Sequence, residues 1–359
     1  MSDTTPQQRA VEQKVKAKSM EAALKVYAPQ QLPFWHDETR AIANELTRCG
    51  LISCRSGGVP RRYFDNEKLF STGKSTVFYK GEELRGNDEE TFLTLVHMLR
   101  EAKAGKLVVR TTSAELCRLN GWESRQVYYN EIYKSVQRLS AGSLTIYSRR
   151  ISKMRRYQKA RDAGVNEAEL ARLWDEIRQE EDDRPDDEDD GQPGNDEAEG
   201  EGLIVSMVGS RIKFEGSTGL VNKIPQGNLT WEIPLEEEMV FLFAKQWLTL
   251  MPQPSRRKLS TGGRRLQAYY MGHRKPYAVL VSTLAGVLQL DDSKGRIKEN
   301  KRIVKKRLQE LVDARVLDSF ELDEGLGDVR VHVKRGAMID QARLEIDAAT
   351  ENDTPEQAG

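Results

Sequence analysis

From Glu89 onward, apolar residues recur at helical spacing, with Phe92, Leu95, Val96 and Leu99 on one side. The stretch Leu107–Thr111 reads as a short strand. Ser113 is the expected N-cap of a helix over Ala114–Leu119, which stops at the Asn120-Gly121 turn signal. A longer helix follows over about Ser124–Leu139, with Tyr128, Ile132, Val136 and Leu139 on one face, and Ser143–Ser148 then alternates like a strand. Helix, strand, helix, turn, helix, strand is the order of a winged helix-turn-helix.

The pattern recurs further on. Asn228–Ile233 reads as a strand, and Pro234 opens a helix over Leu235–Trp247 with an acidic first turn. A helix around Arg264–Met271, a strand at Tyr277–Val281, a helix capped by Ser282 and running to Leu288, and a long helix from Ser293 to Val312 come next. Val316–Leu322 and Val329–Val333 close the unit as a hairpin. The fold expected is α+β, with two tandem winged-helix domains, a disordered acidic insertion and flexible termini. The boundaries expected are an arm over 1–40, a first domain over 41–227, a second over 228–340 and a tail over 341–359.

Between the hairpin strands of the first domain lies an insertion at about 149–201. It opens with seven cations and no acid from Arg149 to Arg161, and ends in the acidic tract Asp182–Glu199. Such a tract lacks the apolar surface needed to fold, so a solvated linker is expected, one able to compete with phosphate for the Arg149–Arg161 run. This segregation changes the meaning of the total charge. The chain has 56 basic and 56 acidic residues, yet Arg256–Arg335 holds 19 Lys/Arg against 10 Asp/Glu.

The helix Ser293–Val312 concentrates that excess. Ile297, Val304, Leu308, Leu311 and Val312 share a side expected to face the core. Lys298, Arg302, Lys305, Lys306 and Gln309 form another wall, with Lys294 and Arg296 in the first turn, where the helix dipole disfavours cations unless an anion is near. The expectation is a helix lying in the DNA major groove, with Arg330, Lys334 and Arg335 of the hairpin reaching the backbone. The alternative is an ordinary solvated surface helix. In the first domain the matching helix carries Gln126, Asn130, Lys134 and Gln137, flanked by Arg125 and Arg138, which suits either adenine reading or a scaffold role.

Catalytic and metal signals are weak. Thr72–Thr76 (TGKST) looks like the end of a phosphate loop, but Lys68 stands where that pattern needs glycine. His36, His97, His273 and His332 are dispersed, and His97 lies within an apolar helix as a core histidine would. Cys49, Cys54 and Cys117 lack zinc-type spacing and read as free thiols. No enzyme activity, metal or cofactor is expected. No run approaches the roughly 18 apolar residues of a membrane span, and no signal peptide is visible, so a cytoplasmic protein is expected.

Several strings in order resemble the TrfA-type plasmid replication initiators: Glu83–Glu90 (ELRGNDEE), Glu115–Trp122 (ELCRLNGW), Tyr128-Tyr129, Arg138-Leu139, Leu242–Ala244, Lys258–Ser260, His273-Arg274 and Pro276-Tyr277. The resemblance runs from about Gln31 to Arg335. It implies two winged-helix domains that bind repeated origin sequences (iterons) in double-stranded DNA, copy control, and recruitment of the host initiator and replicative helicase, with a monomer–dimer equilibrium. Gln31–Trp35 (QLPFW) is similar to the peptide by which bacterial proteins bind the sliding clamp, with Gln31 at a pocket rim and Leu32, Phe34 and Trp35 as anchors. Core packing is the other reading of those residues. A winged-helix transcriptional regulator and an origin-nicking enzyme are the competing functions, the nickase weakened by the dispersed histidines.

Overall fold

The computed structural model describes residues 32, 35–55, 57–73, 75–100, 107–166, 168–173, 202–215, 220–221, 224–225, 230–236, 239, 242–243, 248–273, 278–291, 294–324 and 328–337. Most of the arm expected over 1–40, the acidic tract Asp182–Glu199 and the tail expected over 341–359 lie outside these residues.

In the first unit the helix Gly86–Leu99 buries Phe92, Leu95, Val96 and Leu99, as their spacing requires, and packs on the helix Gln126–Ala141. That second helix turns Ile132, Val136 and Leu139 into the same core. Between them runs the helix Ser113–Asn120. Its cap is Thr112 and not Ser113: the Thr112 hydroxyl accepts from the Glu115 N–H at 3.1 Å while Ser113 is buried inside the helix. Gly121 ends the helix in the left-handed region at φ 72°, where a side chain would be strained.

A four-stranded antiparallel sheet joins Tyr63–Lys68, Ser75–Glu82, Ser143–Ser148 and Gly202–Ser206. Ser143 faces Ser206 and Tyr147 faces Gly202, so the chain returns after the insertion to pair with the strand it left. Alternate residues Leu144, Ile146, Leu203 and Val205 point inward. The string Thr72–Thr76 leads into the Ser75–Glu82 strand, where a phosphate loop would lead into a helix.

The cationic start of the insertion is ordered. Arg149–Asp162 is a helix directly following the strand, held down by buried Ile151 and Tyr157. Two apolar anchors thus offset the mutual repulsion of a cationic helix. Arg155 Nη1 adds a 3.2 Å hydrogen bond to the Gly202 carbonyl on the returning strand.

Two expected boundaries also shift. Thr230–Pro234, assigned to the second domain, pairs with Val108–Thr112 on one side and Lys213–Glu215 on the other, so a break at 227/228 would cut a first-unit sheet. Thr39–Ala43, at the end of the supposed arm, pairs with Leu248–Pro252 at the threshold of the second unit. Non-local strand pairing leaves no mark in local sequence pattern. The helix expected over Leu235–Trp247 lies mostly outside the described residues.

The second unit runs through the helices Thr261–Met271 and Val281–Val287, a 3-10 turn at Lys294–Arg296, the helix Ile297–Asp313 and the hairpin Leu317–Asp323/Arg330–Arg335. The two-residue strand Val279–Leu280 pairs with the second hairpin strand. Ser282 does not cap its helix, which begins one residue earlier. Its N–H instead donates to Asp328 of the hairpin at 3.2 Å, placing a carboxylate at the positive end of the helix. Gly286 meets the first unit so closely that an added methyl would lie 2.5 Å from the Phe70 ring. No helix among the described residues is long and apolar enough to cross a membrane.

Candidate nucleic-acid interface

The helix Ile297–Asp313 buries Val304, Leu308 and Leu311 against Thr261–Met271 and Val281–Val287. Val312 is half-buried. Ile297 departs from the expected core face: it is 60% exposed. Lys298, Arg302, Lys305, Lys306 and Gln309 are all exposed, as are Arg296 before the helix and Arg330 and Lys334 on the hairpin. The side chain of Lys294 lies outside the described residues.

Local carboxylates hold some of this surface. Arg302 contacts Glu299 at 2.6 Å, Gln309 donates to Asp313 at 2.9 Å, and Arg296 lies 3.9 Å from Asp291. Lys298, Lys305 and Lys306 form no ion pair among the described residues. Arg335 is half-buried and donates to the His273 carbonyl at 3.1 Å, so it is turned inward.

The matching first-unit helix is wired differently. Arg125 pairs with Glu123 at 2.6 Å, Gln126 donates to Asn130 at 2.8 Å, and Gln137 donates to the Tyr133 hydroxyl at 3.0 Å. Lys134 is exposed. Arg138, expected to point outward, is 9% exposed: its Nε lies 2.9 Å from Asp88, and its Nη2 lies 3.0 Å from Glu131 and 3.2 Å from the Ser135 hydroxyl. Asp88 also accepts from Arg61 at 2.8 Å and from the Arg85 N–H at 2.7 Å. A buried carboxylate must be paired or neutralised, and Arg138 is one of its partners. An open groove of about 930 Å³ lies beside this helix, lined by Arg61, Tyr63, Lys134, Gln137 and Thr261 among others. Its guanidinium groups are largely engaged by Asp88, Glu82, Glu83 and Glu131, so its charge is balanced.

Sequence reasoning missed the ionic lattice joining the units. Arg256 reaches Glu89 at 2.7 Å and Glu90 at 2.8 Å, and Arg265 reaches Glu89 at 2.8 Å, all fully or almost fully buried. Arg265 also donates to the carbonyls of Leu46 at 3.0 Å and Cys49 at 2.8 Å. Burial alone would raise the Glu89 carboxyl, but Arg256 and Arg265 overrule it and hold it below the ordinary carboxylate range. Acids early in a helix read from sequence as dipole partners, and their long-range guanidinium partners left no local signal. Two cations in the basic count of the second unit are therefore internal.

Part of the expected clamp peptide lies in the core. Leu32 is 2% and Trp35 is 4% exposed, the Trp35 indole donates to His97 Nδ1 at 3.1 Å, and Arg100 donates to the Trp35 carbonyl at 3.1 Å. Gln31 and Phe34 lie outside the described residues. The packing reading thus describes Leu32 and Trp35, which bury apolar area here and cannot at once anchor in a partner. Burial, aided by Arg40 and Arg100, lowers the His97 imidazole to about 3, so His97 is a neutral core histidine. Among the described residues no group of three or more His, Cys, Asp and Glu could hold a metal ion.

A family profile described as the TrfA protein matches residues 4–165. The plasmid replication initiator protein TrfA of Escherichia coli is 24% identical over 327 residues, covering 90% of this chain and 67% of the relative. Over these residues the chain is similar to TrfA-type initiators. The match reaches through the Glu83–Glu90 and Glu115–Trp122 strings on which the resemblance was read, and the alignment with the relative extends it over most of the chain. Among solved structures, one of RctB domains 2–3 has a TM-score of 0.46 at 11% identity, covering 84% of this chain and 98% of that one. A selenomethionine form of RctB domains 2 and 3 has a TM-score of 0.44 at 11% identity, covering 77% and 94%. Likeness at that level carries no argument about function.

Proposed function

We propose that this chain initiates plasmid replication by binding repeated origin sequences in double-stranded DNA through two winged-helix units, of which the second is the main reader. The observation that carries the reading is the cationic wall Lys298, Arg302, Lys305 and Lys306, exposed on a helix whose opposite face is core. A helix of this width enters the major groove, and Lys and Arg suit both phosphates and guanine edges. The order helix, strand, helix, turn, helix, hairpin in the second unit supports it, as does the short strand paired back to the hairpin. Likeness to a plasmid replication initiator distinguishes initiation from other uses of the same fold.

In this reading the protein is a non-enzymatic binder working in the bacterial cytoplasm, and the host initiator and helicase supply the catalysis. Arg138, Leu32 and Trp35 are not part of the binding surface. The deciding experiment is a footprint of the full chain on the origin of the plasmid that encodes it. Protected direct repeats about two helical turns apart are expected; a single palindrome upstream of a gene would make the protein a regulator instead.

A further inference from the structure

Large apolar side chains left in water need an explanation when they sit where a ligand is expected. Two of the exposed large hydrophobics among the described residues stand at the leading ends of the two helices. Val127, 64% exposed, is the second residue of the helix Gln126–Ala141, and Ile297, 60% exposed, is the first of Ile297–Asp313. Each is bordered by exposed polar or cationic groups: Arg125 and Gln126 beside Val127, Arg296 and Lys298 beside Ile297.

Position narrows the occupant. Side chains on a helix lean toward its N-terminus, so both residues project past the leading end of their helices. That end touches base edges when a helix-turn-helix docks. Both residues are β-branched and therefore stiff at χ1, so holding them in place costs little side-chain entropy. A surface that attracts a polyanion while presenting an apolar tip fits duplex DNA better than an apolar protein partner. In the major groove the apolar feature of the base edges is the C5-methyl group of thymine.

We infer that Ile297 and Val127 read thymine methyl groups and so help set the sequence bound. The inference rests on the origin-binding reading and deepens it. Apolar burial here replaces the hydrogen-bond reading that Asn130 and Gln126 would offer.

The test starts from duplexes that the full-length chain selects out of a random-sequence pool. Each thymine in the recovered site is then replaced singly by deoxyuridine, which removes the methyl and keeps the Watson–Crick edge. The intact chain should lose about fourfold in affinity at one position per helix, the worth of one buried methyl-sized group. Ile297→Ala should lose a similar amount on thymine DNA and become indifferent to deoxyuridine at its position, with Val127→Ala doing the same at the other. Ile297→Thr and Val127→Thr keep the branch and should fall between, and all four variants should melt with the parent. Methyl-indifferent binding by the intact chain, equal sensitivity in parent and variants, or a lowered melting temperature would overturn the inference while leaving origin binding standing. Failure to enrich any sequence would instead overturn the origin-binding reading, and this inference with it.

Discussion

The helices Gln126–Ala141 and Ile297–Asp313 hold corresponding places in their units, each following a helix and a turn and preceding a strand, yet they use charge in opposite ways. In the first, Arg138 is spent internally on Asp88 and Glu131, and Arg125 is paired with Glu123. In the second, Lys298, Lys305 and Lys306 stand exposed without an ion pair among the described residues. Charge count alone makes both helices candidates for DNA. What separates them is whether a carboxylate from another element claims the cation first, since a phosphate must then displace a partner already in place.

The largest effect that follows concerns stability. Arg138→Met leaves buried Asp88 with Arg61 as its remaining guanidinium partner, and should cost about 3 kcal/mol or more, because an under-compensated buried charge remains. Denaturant unfolding measures this cost. The salt dependence of DNA binding by the folded fraction should not change; a flattened slope would return Arg138 to the interface.

A second expectation inverts the first. Replacing Lys298, Lys305 and Lys306 together by Gln should leave the melting temperature unchanged and reduce the slope of log K against log salt by about 0.9 for each phosphate that is no longer neutralised. Titrations of one duplex at several salt concentrations read this directly. An unchanged slope would remove the second helix from the backbone interface and erase the asymmetry.

The comparison also presumes that both helices sit on one frame. Glu89 ties them together, and its carboxyl is held below its ordinary value, so its contribution is present above the unfolded pKa of about 4.3 and fades as pH falls through the lower folded value. Melting temperature should therefore drop on acidification below that value. Glu89→Gln should be less stable at neutral pH and show a shallower acid limb; parallel curves for parent and variant would show that the frame rests elsewhere, on the Thr39–Ala43/Leu248–Pro252 pairing and the Gly286–Phe70 contact.

Local pattern made much of this fold legible. Phe92, Leu95, Val96 and Leu99, then Ile132, Val136 and Leu139, then Val304, Leu308 and Leu311, all lie buried where their spacing placed them. Asn120-Gly121 ended a helix as turn chemistry requires. The errors have a common cause. Thr230–Pro234 joined a strand more than a hundred positions away, Arg138 met an aspartate on another helix, and Trp35 found a histidine in the core. Each depends on which distant segment arrives beside the residue, information that a window of neighbours does not contain.

By itself the sequence determined the two repeated helix–turn–helix patterns, the cationic wall of the second and the resemblance to a replication initiator, because periodicity, turn residues and ordered strings are local properties. Tertiary structure alone decided which cations stay free and which apolar residues stay wet. Ile297 carries the point: it shares the helical face of Val304, yet it lies about two turns before it, at the helix end, and remains in solvent. A helical wheel gives direction around the axis, and the packed neighbours set how far along that axis cover extends.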